Sequence, residues 1–488
     1  MPESEVDYGR KWAVLLAVGA GLLLSALDTS IVNVALPTLT RSFGAEFAVV
    51  QWVVLAYLLT VSTLMLAIGR WADMVGKKPI YTAGFVIFTF GSALCGLAPG
   101  VYWLIAFRVL QAVGAAMLLA LGVAIITEAF PAGERGRALG IGGAVISLGV
   151  VAGPAVGGLL IDAFSWHWIF IVNVPIGLAG ALLAARLIPN LRPPGGERFD
   201  VAGALSLFVS LLALLLALTI GQNLGFSDAR ILALFGLWLL FLGLFLLVEL
   251  RARHAMIDLR LFTNRALNVN LLTGYSTFVA ISGSILLLPF YLEQVLGYTP
   301  RQVGLLMAVP PVVLAVVAPL SGALSDRFGS RPITVIGLAW LALGYGALST
   351  LGANTSPAGF LLRLLPVGIG MGAFQSPNNS AIMGAAPRGR LGVVSGLLAV
   401  SRTLGHTTGI AILGALWAAR VFHHAGTAPA GGPTRAPAAA QTAGLQDTLL
   451  AAAALMGLAL GLSLWAFYLE RQGRAAAARR QAYEPADG

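Results

Sequence analysis

The chain has 488 residues, of which 58% are hydrophobic and only 10% are charged, and its mean hydropathy is +0.88. Soluble domains carry about 25% charged residues, so this composition cannot cover a water-facing surface and excludes a soluble enzyme, a disordered chain and a collagen. The net charge of +10 raises nucleic-acid binding as an alternative, which depends on where the basic residues lie.

Long apolar segments recur along the whole chain, and each is long enough to cross a hydrocarbon core of about 30 Å. The sequence therefore predicts an all-α polytopic membrane protein. The predicted transmembrane helices number fourteen and lie at 12–34, 48–69, 80–98, 102–127, 138–161, 167–188, 201–220, 231–250, 267–290, 303–323, 333–351, 358–382, 392–417 and 447–469. Because fourteen is even, both termini are expected on one side of the membrane.

The basic residues follow the predicted topology. Most of the 30 lysine and arginine residues fall in the connections on the side of the termini. By the positive-inside rule, both termini are therefore cytoplasmic. The positive charge is explained by topology, so no nucleic-acid partner is expected. The lone Cys95 lies within a predicted span, which excludes an internal disulfide and a cysteine-based metal site.

An internal repeat divides the chain into two halves. The segment 69–80 is matched at 322–333, an offset of 253 residues, and 135–137 is matched at 388–390 with the same offset. We therefore predict a 6+2+6 arrangement, in which parallel halves surround a midplane cavity. Its parts are a six-helix bundle (1–188), a linker with two extra helices (189–265), a second six-helix bundle (266–470) and a basic cytoplasmic tail (471–488). The connection 418–446 is predicted to be a flexible loop.

Four segments carry a resemblance to a known family. Residues 69–81 resemble the signature between spans two and three of the major facilitator superfamily, and residues 149–158 resemble its antiporter signature in span five. Residues 27–37 and 166–177 are similar to signatures of the fourteen-span drug:proton antiporters within that superfamily. The resemblance implies the major facilitator fold and proton-driven export of amphipathic compounds, including antibiotics, from a bacterial cytoplasmic (inner) membrane. The energy source would be the proton gradient, without a cofactor.

Two charged residues inside spans are candidates for proton coupling. Asp28 lies in span one, where a carboxylate costs about 2.5–3.5 kcal/mol on insertion scales unless it lines a cavity or has a partner. Arg108 in span four is expected at a similar depth and could pair with Asp28, and Gln111 lies one turn further on the same face. The resemblance assigns Arg108 to proton relay. The alternative is an ion pair that only fixes helix packing.

The repeated segment is a candidate gating loop. Two glycines permit close helix approach and a sharp turn, and Asp73 can accept bonds from basic groups. Such contacts would stabilise the outward-facing state and break when the halves rock. The residues assigned to this loop and its second copy are Gly69, Arg70, Asp73, Gly76, Lys77, Lys78, Asp326, Arg327 and Arg331.

A glycine-rich face in span five is predicted to form a rigid contact between the halves. Gly149, Gly153 and Gly157 recur every four residues, with Pro154 and Gly158 beside them. At the offset of 253, Arg402 and His406 stand in place of Gly149 and Gly153. His406 could titrate, contact substrate or serve as a hydrogen-bonded helix histidine.

Several polar residues within spans are candidates for the substrate cavity. They are Asn33, Gln111, Arg363, Gln375, Asn378, Arg402 and His406. Arg363 is also interpreted as a structural echo of Arg108 in the second half. Glu249 and Glu293 lie at predicted span ends, where snorkelling explains a charge.

These features predict a monomeric exporter that exchanges protons for small amphipathic substrates by alternating access. An uptake symporter or a facilitator of the same fold is the first alternative. A membrane enzyme or a channel is the alternative from a different class, and the absence of a catalytic constellation argues against it. Few acids face the predicted cavity, which favours neutral, monocationic or anionic substrates over dications.

Overall fold

A computed structural model describes residues 8–131, 134–189, 201–225, 228–251, 259–385, 391–426 and 432–481 of the chain. Over these residues the chain is helical, as the composition predicts. The α-helices are α1 (Lys11–Phe43), α2 (Phe47–Val50), α3 (Trp52–Val75), α4 (Lys77–Gly96), α5 (Val101–Ala129), α6 (Arg135–Ala163), α7 (Trp168–Ile171), α8 (Asn173–Leu187), α9 (Val201–Leu224), α10 (Ala229–Arg251), α11 (Arg265–Phe290), α12 (Pro300–Met307), α13 (Val309–Phe328), α14 (Ser330–Leu348), α15 (Pro357–Gly384), α16 (Leu391–Ala425) and α17 (Ala438–Gln481). A π-helical turn, Tyr291–Val295, continues α11.

Within the described residues, 12 helical segments are long and apolar enough to cross a membrane. The other two predicted spans coincide with α9, which has 24 residues, and α16, which has 35. The multi-pass helical architecture is therefore confirmed, whereas the number fourteen stays a prediction.

The two halves pack their helices in the same pattern. In the first half α1 packs on α6, and α5 packs on both α3 and α4. In the second half α11 packs on α16 in the same way, and α15 packs on both α13 and α14. The repeated sequence therefore corresponds to a repeated helix arrangement.

The extra helices contact both halves. The helices α9 and α10 pack on each other, and α9 also contacts α3 of the first half and α16 of the second. Leu59, Leu211 and the partly buried Leu404 form one apolar cluster where these three helices meet.

The second half departs from the predicted boundaries near its end. Instead of a flexible loop over 418–446, α16 continues to Ala425 and α17 begins at Ala438. Alanine has the highest helix propensity, so the alanine-rich ends of this segment extend the neighbouring helices. Only the residues between Gly426 and Ala438 remain to connect the two helices.

One glycine in each repeat has a backbone conformation that other residues avoid. Gly76 has φ 106° and ψ 146°, and Gly329, 253 residues later, has φ 86° and ψ 153°. This region of conformational space is almost restricted to glycine. Each glycine separates two consecutive helices (α3 from α4 and α13 from α14), so the same sharp turn is built at the same place in both halves.

We expect Gly329→Ala to destabilise the protein by about 1–3 kcal/mol, because the alanine Cβ is strained at this positive φ. The measurement is thermal unfolding of the purified protein in detergent, followed by tryptophan fluorescence. Gly346→Ala in α14 is the matched control, since a Cβ there meets open space within a helix. Equal melting temperatures for the two variants would contradict a requirement for glycine at the turn.

Candidate functional site

A buried ion pair lies inside the first half. The Nη1 atom of Arg108 on α5 donates to Oδ2 of Asp28 on α1 at 2.6 Å. The exposed fraction is 0% for Asp28 and 1% for Arg108, so neither charge is solvated. The structure thus forms the pair expected from the sequence, and its role in proton coupling stays a prediction.

Two amide side chains complete the hydrogen bonding of the carboxylate. Gln111 donates its Nε2 to Oδ1 of Asp28 at 2.8 Å, and Asn173 donates its Nδ2 to the same oxygen at 3.1 Å. Both amides also donate to Oγ of Ser92, each at 3.1 Å. Asp28 therefore accepts three hydrogen bonds, two at Oδ1 and one at Oδ2, which leaves one acceptor position on Oδ2 for a proton.

The guanidinium of Arg108 contacts further groups on α3 and α5. Besides Asp28, its Nη1 donates to Oε1 of Gln111 at 2.7 Å, and its Nε donates to the carbonyl of Val53 at 3.1 Å. Its Cζ lies 4.0 Å from the ring centroid of Tyr57, a cation–π contact. Helices α1, α3 and α5 therefore meet at this one cation.

Glycines allow the helices that carry the network to approach closely. A Cβ on Gly91 of α4 would lie 2.7 Å from the backbone of Gln111. On α8, a Cβ on Gly177 would lie 2.0 Å from Oγ1 of Thr89. Small residues at such crossings let backbones approach in membranes. As a result, α4 lies against both α5 and α8, and Asn173, the first residue of α8, reaches Asp28.

Removing one charge of this pair should lower the stability of the folded protein more than removing both charges. We expect Arg108→Gln to destabilise the protein by about 3–5 kcal/mol, because it leaves Asp28 as a buried charge without a cation. The double variant Asp28→Asn with Arg108→Gln should recover most of that loss. Thermal unfolding in detergent measures both effects. Arg230→Gln, at an exposed ion pair in the first turn of α10, should leave the melting temperature unchanged.

If the double variant were no more stable than Arg108→Gln, the ion pair would not be the reason for the loss.

The halves contact each other closely on the side of the molecule opposite the termini, which we call the far side. Gly158 of α6 and Gly304 of α12 cross there, and a Cβ on Gly158 would lie 2.4 Å from the carbonyl oxygen of Pro300. A Cβ on Gly304 would lie 2.2 Å from the carbonyl oxygen of Pro154. The two helices therefore touch backbone to backbone.

Aromatic rings and an ion pair add to this far-side contact. Phe47 of the first half packs edge-on against Phe290 and Trp417 of the second half, with centroids 5.0 and 4.8 Å apart. Arg41 at the end of α1 forms an ion pair with Glu293 in the π-helical turn. The side chain of Glu293 is fully buried whereas that of Arg41 is half exposed. Glu293 therefore bridges the halves and does not snorkel from a span end.

The predicted role of the glycine-rich face needs correction. Gly149, Gly153 and Gly157 pack against α1 within the first half, where a Cβ would meet Ala26, Ser30 and Ile31. Of this set, the contact with the other half is made by Gly158 and the carbonyl of Pro154. The reason is geometric, since residues four apart share one face and Gly158 lies on the next.

We expect Gly158→Ala to open the far side, since the added methyl overlaps the backbone of α12. An overlap costs about 1–3 kcal/mol, so the far-side-open population should rise at least about fivefold. The far-side-open population would be measured as the distribution of distances between spin labels at positions 164 and 305, by pulsed electron paramagnetic resonance, with Cys95 replaced by serine. Gly143→Ala on the same helix is the control, because a Cβ there meets nothing. An unchanged distance distribution would show that the crossing does not hold the far side closed.

The candidate gating residues lie at the opposite ends of the helices from the glycine crossing. Lys77 at the start of α4 pairs with Glu128 near the end of α5, within the first half. Lys78 is partly buried, and a Cβ on Gly69 would meet open space. The side chains of Arg70, Asp73 and Asp326 lie outside the part that the structure describes, so the gating contacts assigned to them stay predictions.

In the second copy of the loop, Arg331 turns inward. It is 9% exposed and donates to Oδ1 of Asn270 at 3.2 Å, beside a pocket of about 460 Å³. Asn378 donates to the carbonyl of Asn270 at 3.2 Å, so a cavity candidate and a loop residue share one partner. Arg327 is exposed and lies over the ring of Phe328.

The remaining cavity candidates do not form one cluster. Asn33 donates to the carbonyl of Thr29 on its own helix, and Gln375 is partly buried on α15. Gln111 belongs to the Asp28 network. Arg363 donates to Oγ1 of Thr350 at 2.9 Å and to the carbonyl of Gly359 at 2.8 Å. It therefore fixes the connection before α15 and does not repeat the buried pairing of Arg108.

Arg402 and His406 lie together on α16 against α11. Nδ1 of His406 forms a hydrogen bond with Oγ of Ser282, and its ring is 4.9 Å from that of Phe278. The Cζ atom of Arg402 is 5.1 Å from the same phenyl centroid. Helix α16 still packs closely on α11, but through glycines three residues after Arg402 and His406. These are Gly405 and Gly409, which meet the backbone of Tyr275 and Val279.

Sequence reasoning missed four residues that the structure shows to be important. Ser92 and Asn173 belong to the Asp28 network, while Glu293 and Gly304 contribute to the far-side contact. The signal for the first two was a polar side chain in an apolar segment. Gly304 carried no local signal, and the charge of Glu293 was interpreted as snorkelling at a span end, because each residue acquires its role from a residue in the other half.

Comparison with known proteins gives a consistent family assignment. The model of the Major Facilitator Superfamily matches residues 18–410. The chain is 37% identical to the riboflavin transporter RibZ of Clostridioides difficile over 84% of this chain and 89% of that protein. It is 36% identical to the multidrug resistance protein Stp of Mycobacterium tuberculosis over 83% of this chain and 75% of that protein.

A third relative is also named as a transporter, and a solved transporter structure has a similar fold. The chain is 31% identical to the multidrug transporter protein MdtP of Bacillus subtilis over 85% of this chain and 77% of that protein. A bacterial homologue of the human lysosomal transporter Spinster, in an inward-facing and unoccupied conformation, has a similar fold. The TM-score is 0.67 at 20% identity, over 94% of this chain and 97% of that one.

Proposed function

Because the chain belongs to the Major Facilitator Superfamily, whose members are transporters rather than enzymes, we propose that it is a proton-coupled exporter of amphipathic drugs or natural products. It is a multi-pass protein of a bacterial inner membrane, as its relatives indicate. Relatives named for multidrug resistance support export, whereas the relative named as a riboflavin transporter supports a narrower substrate.

The observation that carries the proposal is the buried Asp28–Arg108 pair. An ionisable group at membrane depth that is wholly buried marks a candidate proton or ion pathway. When Asp28 is ionised, it binds Arg108, Gln111 and Asn173 and holds α1, α5 and α8 together. Protonation would weaken the attraction between α1 and α5. A proton at Asp28 is therefore proposed to change the free-energy difference between transporter states.

The proposed topology has fourteen spans in the 6+2+6 arrangement, with both termini cytoplasmic and the far side external. The basic connections on the termini side support it. In this orientation the far-side contact would close the external side, as in an inward-facing transporter. Antiport would then require Asp28 to have released its proton to the cytoplasm in this state. The proposed unit is a monomer, and the proton gradient is its energy source.

An uptake symporter or facilitator is the competing function, and the riboflavin transporter relative is the reason to test it. The two differ in the direction of flux relative to the proton gradient. In an antiporter the compound and the proton cross in opposite directions, whereas in a symporter they cross together.

We expect Asp28→Asn to reduce gradient-driven transport at least tenfold while exchange without a gradient continues. The measurement uses proteoliposomes with an imposed pH gradient and the voltage clamped by potassium and valinomycin. The probes are ethidium, Nile red and 1-pyrenebutyrate, which are cationic, neutral and anionic. Asp162→Asn is the control because Asp162 is exposed at the end of α6.

Full gradient-driven transport by Asp28→Asn would reject the coupling role. Transport of a probe in the same direction as the protons would replace the antiporter with the symporter.

A further inference from the structure

Arg402 is a cation within a membrane helix that has no anionic partner. Among the described residues it makes no hydrogen bond and no ion pair, and its Nε is buried without an acceptor. Its guanidinium lies over the ring of Phe278, and the residue as a whole is partly exposed. Within the described part of the chain, an aromatic face is therefore what stabilises this charge.

The other two arginines within spans are satisfied by the protein. Arg108 binds a carboxylate and two oxygens, and Arg363 binds a hydroxyl and a carbonyl. Charged groups within membrane segments almost always pair with another group or face an aqueous cavity. Arg402 is thus the exception among these three, and the described part of the chain supplies no group that completes it.

The buried acids that the structure describes are engaged elsewhere. Asp28 binds Arg108, Glu293 binds Arg41, and Glu249 also has an interaction of its own. Helix α16 packs against α3, α9, α11, α15 and α17. Leu404, two residues after Arg402, lies in the apolar cluster with Leu59 of α3 and Leu211 of α9, so this part of α16 is where both halves and the linker meet. A ligand between the halves could therefore reach the guanidinium.

The surroundings of Arg402 restrict the chemistry of the ligand. A guanidinium recognises a carboxylate through two parallel hydrogen bonds. Phe278 presents an aromatic ring beside it, and His406 presents a second one. The hydrogen bond with Ser282 occupies Nδ1 of His406, so Nε2 is the ring nitrogen that remains for a ligand. The positive charge of Arg402 therefore lies next to flat aromatic rings.

We propose that Arg402, Phe278 and His406 form a recognition site for aromatic carboxylates, that is, for anionic amphipathic substrates. The inference rests on the proposed transport function and narrows its substrate class. Arg402 supplies the charge, the partly exposed ring of His406 supplies the stacking surface, and the buried ring of Phe278 packs against both. The sequence repeat supports a specialised role, because the first half has glycine at both corresponding positions, Gly149 and Gly153.

The test measures equilibrium binding to the purified full chain in detergent, without any gradient. The probes are 1-pyrenebutyrate, its uncharged methyl ester and the cation 1-pyrenemethylammonium, followed by pyrene fluorescence. Wild-type protein should bind the carboxylate more tightly than the other two. Arg402→Gln should weaken carboxylate binding roughly ten- to hundredfold and leave ester binding unchanged, because a charge-assisted hydrogen bond is lost.

Two further variants make the result interpretable. Arg402→Lys keeps the charge and should restore part of the affinity, and Arg363→Gln should behave as wild type because Arg363 bonds only to the α14–α15 connection and its own helix. Equal losses for carboxylate and ester in Arg402→Gln would assign Arg402 to packing and overturn the proposal. Wild-type protein that does not prefer the carboxylate would overturn it as well.

Binding also separates this inference from the transport proposal. Preferential carboxylate binding by a protein that transports no probe would reject proton-coupled export but keep the site. Gradient-driven transport of ethidium alone, without carboxylate binding, would reject the site but keep the exporter.

Discussion

The buried ion pair between Asp28 and Arg108 is the interaction on which the proposed mechanism depends. Two charges removed from water need each other and further hydrogen bonds, because the desolvation of either one costs several kcal/mol. The protein supplies those bonds from Gln111, Asn173 and the carbonyl of Val53. Each donor or acceptor comes from a different helix or turn, so the pair fixes the relative positions of α1, α3, α5 and α8.

The far-side contact is built from a different kind of interaction. Glycine faces, aromatic rings and the Arg41–Glu293 pair hold the two halves together without involving Asp28. The proposed coupling site therefore lies inside one half, whereas the contact that would open in the proposed mechanism lies between the halves. In the proposed mechanism, a proton at Asp28 alters the packing of α1, which also carries Arg41 at its far-side end. The same helix thus links protonation to closure.

The two halves share a helix arrangement but differ in chemistry. In the first half, glycines of α6 pack against α1, and α1 also carries Asp28 of the buried ion pair. The second half moves its packing glycines to Gly405 and Gly409, which frees Arg402 and His406 for another role. The first half therefore contains a satisfied cation and the second contains an unsatisfied one. In the proposed mechanism, the first half handles the proton and the second half recognises the ligand.

The sequence predicted the features that depend on composition and on local pattern. Hydropathy predicted the spans, the repeat predicted the equivalent turns at Gly76 and Gly329, and depth matching predicted the partner of Asp28. It could not predict that Asn173 reaches Asp28, because the bend before α8 sets that direction. Nor could it predict Gly158 against Gly304, since that contact depends on how two separately folded halves dock. The helical ends of 418–446 were missed because alanine was interpreted as a loop residue.

The most direct test of the coupling claim is proton release by the purified protein when a transported compound is added in weakly buffered detergent solution. A pH indicator would follow the release at a pH where part of the protein holds a proton at Asp28. Proton-coupled antiport through Asp28 predicts release that saturates with the compound and is absent from Asp28→Asn. Equal release from wild type and Asp28→Asn would contradict it.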